Sequence, residues 1–148
     1  MKHLSDPCWV ESGYNGYVVS VGIFAENISD NIISDMNHLS QLSEIHVQTA
    51  NYHTGNENVT NLSLLNKLNR INTLFLHVGE QSAIPYLELP ESVNTIVISG
   101  ENLDDNDLNY LTKFTHIKKI YIETQNNSIS AEEITTFKKK RPDVLLEF

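Results

Sequence analysis

A single cysteine, Cys8, stands among 148 residues, so no disulfide can form within the chain and a reducing compartment is expected. Cys8 has no evident base beside it in sequence and reads as structural or incidental. Long apolar runs are missing too. The start, "MKHLSDPCWV", holds none long enough for a signal peptide, and no stretch approaches the ~18 apolar residues of a membrane span. The expectation is a soluble, cytoplasmic protein. Positive charge is scarce over most of the chain. Residues 3–112 carry fourteen Asp and Glu against only Lys67 and Arg70, a local charge of −12; residues 113–148 carry seven bases and five acids, or +2; with Lys2 the net charge is −9. A surface of that sign repels a phosphate backbone, which argues against direct nucleic-acid binding. It favours a basic protein partner, since opposite fields speed encounter and reject wrong partners. The plainer alternative is that the acidic surface only keeps the protein soluble.

Signatures of catalysis are absent as well. There is no G-x-S-x-G, no P-loop and no G-x-G-x-x-G, and the six histidines (3, 38, 46, 53, 77 and 116) make no H-x-x-x-H pair. No cofactor is implied, and no enzyme activity is expected. The acidic turn "ENLDDND", 101–107, has a trace of a D-x-D calcium loop but lacks the glycine and distal Glu that such a loop needs. Helix N-terminal charge explains it better, with Asp104 or Asp105 as the cap, so no metal site is expected. The run "KKKR", 138–141, is accounted for by the C-terminal electrostatics of a helix.

What is present is a repeated strand. Leu42, Ile45, Val47; Ile71, Leu74, Leu76; Val93, Ile96, Ile98; and Ile117, Ile120, Ile122 all obey apolar-x-x-apolar-x-apolar. From Ile45 to Leu74 is 29 residues, from there to Ile96 is 22, and on to Ile120 is 24. Around these copies, 17–25 reads as a first strand and "DVLLEF" as a last one. Helices are predicted over the segment after Ser29–Asp30, over 62–70, from about Asp105, and after Ser130, where Glu133 completes a capping box and Pro142 ends the helix. Pro85 and Pro90 make 79–92 an extended or single-turn return. Residues 1–16, broken by Pro7, Gly13 and Gly16, read as an irregular lead-in, and 50–61 as a polar loop. The length suits one domain, 1–148.

The four copies resemble the leucine-rich-repeat family over roughly residues 17–148. The period falls in or near its ~20–29 residues. The positions at which that family carries Asn or Cys hold Ala50, Gly79, Glu101 and Gln125 here, so the repeats are degenerate. The resemblance implies an α/β fold: a leucine-rich-repeat-like solenoid with a curved, mostly parallel sheet and irregular helical or extended returns. The competing architecture is an ordinary doubly covered α/β sheet, whose strands should be continuously apolar. These alternate, so one sheet face should be open.

Alternation also names what lies on that face. The column between the buried anchors is His46, Phe75, Val97, Tyr121; the next is Gln48, His77, Ser99, Glu123; the one before is Glu44, Thr73, Thr95, Lys119. An outward column that is mainly apolar or aromatic points to a protein-binding surface. The alternative is that the lead-in around Trp9, Tyr14 and Tyr17 covers it. The candidate partner-binding residues are His46, Phe75, His77, Val97, Tyr121 and Glu123, with Asp104, Asp105 and Asp107 as steering charges. A small acidic chain without chemistry of its own resembles a bacterial immunity protein, including the contact-dependent-inhibition type, which neutralises a cognate toxin, often a nuclease. Leucine-rich-repeat ribonuclease inhibitors are similar in principle. Other readings are a scaffold or substrate-recruiting module, a small-molecule binder, and a hydrolase using His46 or His77. The strand "VLLEF" is also expected to leave an open edge.

Overall fold

The structure, a computed structural model, describes residues 9–50, 58–124 and 127–148. Cys8, His3, His53, most of the polar 50–61 loop, and Gln125 fall outside the described residues. Seven strands form one sheet whose spatial order is the chain order: β1 (Trp9–Ser12), β2 (Val18–Phe24), β3 (Glu44–Gln48), β4 (Thr73–Val78), β5 (Thr95–Gly100), β6 (Lys119–Glu123) and β7 (Leu145–Glu147). β1 runs antiparallel to β2, and every later pair is parallel. Each parallel pair is joined by a return on the same covered face, made from α1 (Asp30–Asn37), α2 (Asp105–Leu111), α3 (Ala131–Lys140) or tighter 3-10 segments.

The repeated apolar pattern sets the register. Val21, Ile45, Leu74, Ile96, Ile120 and Leu146 stand opposite one another across the sheet, and so do Ile23, Val47, Leu76, Ile98 and Ile122. All are buried. A slip of one residue would turn both rows out to solvent, which is why the alignment is unambiguous. The returns lay Ile33, Met36, Leu62, Leu65, Ile84, Leu87, Leu108, Leu111 and Phe137 into the same core. At the start of the strands one backbone carbonyl serves the next strand twice. The Asn72 oxygen accepts from the Asn94 and Thr95 N–H groups at 3.0 and 3.2 Å, and the Asn94 oxygen accepts from Lys118 and Lys119 at 2.8 and 3.1 Å.

Two segments differ from the sequence expectation. Residues 1–16 are not irregular throughout, because Trp9–Ser12 pairs as β1, with a bulge between Glu11 and Ser12. Gly16, at φ 77°, closes the turn that precedes β2. The predicted helix over 62–70 is a 3-10 segment, Thr60–Lys67. Leu62, Leu65 and Leu68 recur every three residues, and three residues per turn eclipses them onto the core. Helix ends follow their caps: Ser29 and Ser130 accept backbone N–H groups of Ile32 and Glu133 at 3.4 and 3.1 Å, but the capping box expected at Ser130 is only half formed, since the Ser130 N–H donates to Asp105 rather than to the Glu133 side chain. Asp104 and Asp107 form a reciprocal capping box on α2.

Candidate functional site

The face of the sheet away from the returns carries the predicted columns in register. Gly22, His46, Phe75, Val97, Tyr121 and Glu147 form the central one, and Phe24, Gln48, His77, Ser99 and Glu123 the next. His46, Phe75, Val97 and Tyr121 are each half-buried, because side chains on strands less than 5 Å apart pack on their neighbours in the same column. The His46 and Phe75 rings stack, with centroids 4.1 Å apart and planes 6° from parallel. Trp9 meets the other side of His46 edge-on, centroids 4.5 Å apart.

Gly22 explains how a residue of β1 reaches that column. Trp9 stands opposite Gly22, and the indole folds across it; a Cβ there would lie 2.7 Å from both Cδ1 and Cε2 of the ring. The sequence reading did not single out Gly22, although a glycine inside a strand is a signal of close approach by another group. Of the aromatic residues expected to cover the face, only Trp9 does so, and at one end. Tyr14 and Tyr17 are exposed.

Burial pushes the His46 imidazole below its ordinary pKa, against the opposing pull of Glu44 and Glu11. Glu44 approaches it to 4.0 Å without a hydrogen bond. His77 Nδ1 lies 3.0 Å from the Ser99 hydroxyl. The two histidines sit in different columns and share no proton-carrying contact. Between the columns lies a shallow depression of about 150 Å³. Trp9, His46, Phe75 and Val97 give it an aromatic and apolar side; Gln48, His77, Ser99 and Glu123 give it a polar one. Tyr121 continues the central column beyond it.

The three candidate steering acids are elsewhere. They lie in the return between β5 and β6, and two of them, Asp105 and Asp107, bond to neighbouring returns. Asp107 is 4% exposed and accepts from the Ser82 hydroxyl and the Asp104 N–H, at 3.0 and 3.1 Å. Burial raises its pKa, opposed by those two hydrogen bonds. Asp105 accepts from the N–H and hydroxyl of Ser130, at 2.6 and 2.9 Å. Asp104 caps α2. Both oxygens of this buried carboxylate are already engaged inside the fold, so Asp107 is a packing element rather than an exposed steering charge. The same correction applies within "KKKR". Lys138–Lys140 do fill the last turn of α3, but Arg141 is buried and caps carbonyls of the preceding return.

Among the described residues, no group of three or more His, Cys, Asp or Glu is arranged to hold a metal ion, and no helix is long and apolar enough to cross a membrane. Comparison of the chain with family models, with curated proteins and with solved structures found no match.

Proposed function

We propose that the protein is a non-catalytic binding module of leucine-rich-repeat-like solenoid form, acting in the cytoplasm through its open sheet face. The observation that carries this reading is the in-register column of Trp9, His46, Phe75, Val97 and Tyr121, left without a covering layer among the described residues. Aromatic rings held in a row on a rigid sheet are suited to be anchors in a protein interface. The solenoid form is supported by sequential strand order and by the carbonyl that serves two N–H groups at successive strand starts. At the family's Asn position in the second copy stands Gly79, whose N–H is satisfied instead by the buried Thr49 hydroxyl, at 2.8 Å.

The partner we favour is a basic protein that the module occludes, as an immunity protein blocks its toxin. The net charge of −9 supports it. A small molecule fits less well, because ligand pockets commonly hold roughly 300–1,000 Å³ and the depression holds about 150 Å³. Hydrolysis also fits poorly. His77 and Ser99 have the spacing of a base and a nucleophile, but the β5 backbone around Ser99 is engaged in the ladders to β4 and β6, so it offers no free pair of N–H groups as an oxyanion hole.

The test starts with the neighbouring genes. A toxin gene next door, whose basic domain co-purifies with this protein but not with its Phe75→Asp or Tyr121→Asp variant, is the expected outcome. Unrelated neighbours overturn the immunity reading. A partner retained by both variants overturns the assignment of the open face.

A further inference from the structure

The depression on the open face has a chemical bias of its own. It is too small for a folded element and of a size for one side chain. One side is aromatic, from Trp9, His46 and Phe75. The other offers hydrogen-bond acceptors: the Gln48 amide oxygen, the Ser99 hydroxyl and the Glu123 carboxylate. None of its lining residues is Lys or Arg. Glu123 is exposed, and among the described residues no hydrogen bond or ion pair engages its carboxylate. Glu44 and Glu11 flank the aromatic end closely enough to act on His46. Across the three outward columns of β3 to β6, Lys119 is the one cation.

We propose that this depression is an arginine-recognition site, taking a single guanidinium side chain from the basic partner. The inference rests on the protein-binding reading above and names the group that reading would insert here. A guanidinium is flat, weakly hydrated and carries five N–H donors in a fork, so it can lie against an aromatic ring while it donates sideways to a carboxylate and to neutral acceptors. A lysine ammonium is a compact, strongly hydrated point charge and uses the aromatic side less well. An apolar side chain would fill the space but make no use of the Gln48 and Glu123 acceptors. A carboxylate would face Glu123, Glu44 and Glu11.

The site is tested by following backbone amide NMR signals of the full chain during titration with N-acetyl-arginine amide, with N-acetyl-lysine amide and N-acetyl-norleucine amide as parallel arms. The expected result is saturable shifts centred on Phe75, His77, Ser99 and Glu123 with the arginine amide, with weaker binding of the other two. Added salt weakens the arginine arm. Glu123→Gln, a surface change that leaves the fold intact, weakens it about 2- to 5-fold, as expected for one exposed charge pair. Equal binding of the lysine amide would overturn guanidinium selectivity, and equal binding of the norleucine amide would overturn any role for charge. The absence of saturable shifts at the site overturns the proposal outright. The two levels separate cleanly. If partner capture depends on Phe75 and Tyr121 while arginine amide does not bind, only the arginine site falls. If capture ignores both residues while arginine amide binds, the docking face falls and the site stands.

Discussion

Replacing Arg141 by Met should destabilise the fold strongly, although Arg141 ends a basic run on the surface of α3. The residue is 8% exposed, and its side chain points into the return between α2 and β6. Its Nη1 donates to the Phe114 and Thr112 oxygens at 2.8 and 3.4 Å, and its Nη2 to the Ile117 and Thr115 oxygens at 2.9 and 3.2 Å. These carbonyls follow the end of α2, where a helix leaves its last oxygens without intrahelical donors. Asp143 holds the guanidinium from the other side through Nε and Nη2, at 3.0 and 3.1 Å, and is itself kept well below the usual carboxylate range by Arg141 and Lys118. Methionine keeps much of the stem and removes every donor. The two bonds under 3 Å to a charged donor contribute about 1.5–3 kcal/mol each, so the loss is about 3–6 kcal/mol. Against a total of roughly 5–15 kcal/mol for a domain, that is a large share. With a urea slope of ~2 kcal/mol per molar, the denaturation midpoint should fall by about 1.5–3 M. Arg141→Lys should lie between, since one ammonium cannot span four carbonyls. A midpoint shift below about 0.5 M for Arg141→Met, or ~1 kcal/mol on the same slope, would refute the claim that this fork holds the return in place.

Three further outcomes follow from the same geometry. Gly22→Val should push the indole off His46 and shift the emission of the sole tryptophan to the red; an unchanged spectrum would mean that Trp9 does not rest on Gly22. Gly100→Ala should cost about 1–3 kcal/mol for a side chain held in the left-handed region, at φ 115°, and more because its Cβ would press on the Val78 carbonyl oxygen, all readable as a lower urea midpoint. Acidification should destabilise the fold. Burial holds both His46 and His116 below their ordinary value, with Arg141 adding to the effect at His116, and with Glu44, Glu11 and Glu91 opposing. The unfolded chain therefore takes up protons first, and stability is lost from about pH 6.5 downward until the folded imidazoles titrate in turn. Urea midpoints at about pH 7.5 and pH 5.5 should show the fall, and His46→Gln should reduce it.

The strands were legible because their information is local. Three apolar residues at fixed spacing mark each copy, and the same spacing in Val18, Val21 and Ile23 extends the array to β2, a copy the four-repeat reading passed over. Helix caps at Ser29, Asp104 and Ser130 were equally local, since donor and acceptor lie within three residues. The 3-10 return was written as a three-residue leucine period but read as a helix, because spacing of three fits either. The role of Arg141 was hidden, since its acceptors lie 24 to 29 residues away in sequence and the basic run around it offers a simpler local explanation.

The sequence by itself determined which residues face the core and which form the outward columns, because a two-residue strand period assigns sides without reference to any partner. It also determined the net charge of −9 and its concentration in residues 3–112. Only the tertiary structure decided what stands over each column and which acids remain in solvent. Trp9 reaches His46 because β1 pairs with β2 opposite a glycine, and Asp107 loses its exposure because the return carrying Ser82 packs against α2. Both depend on contacts between segments brought together by register and packing, which no single stretch of the chain encodes.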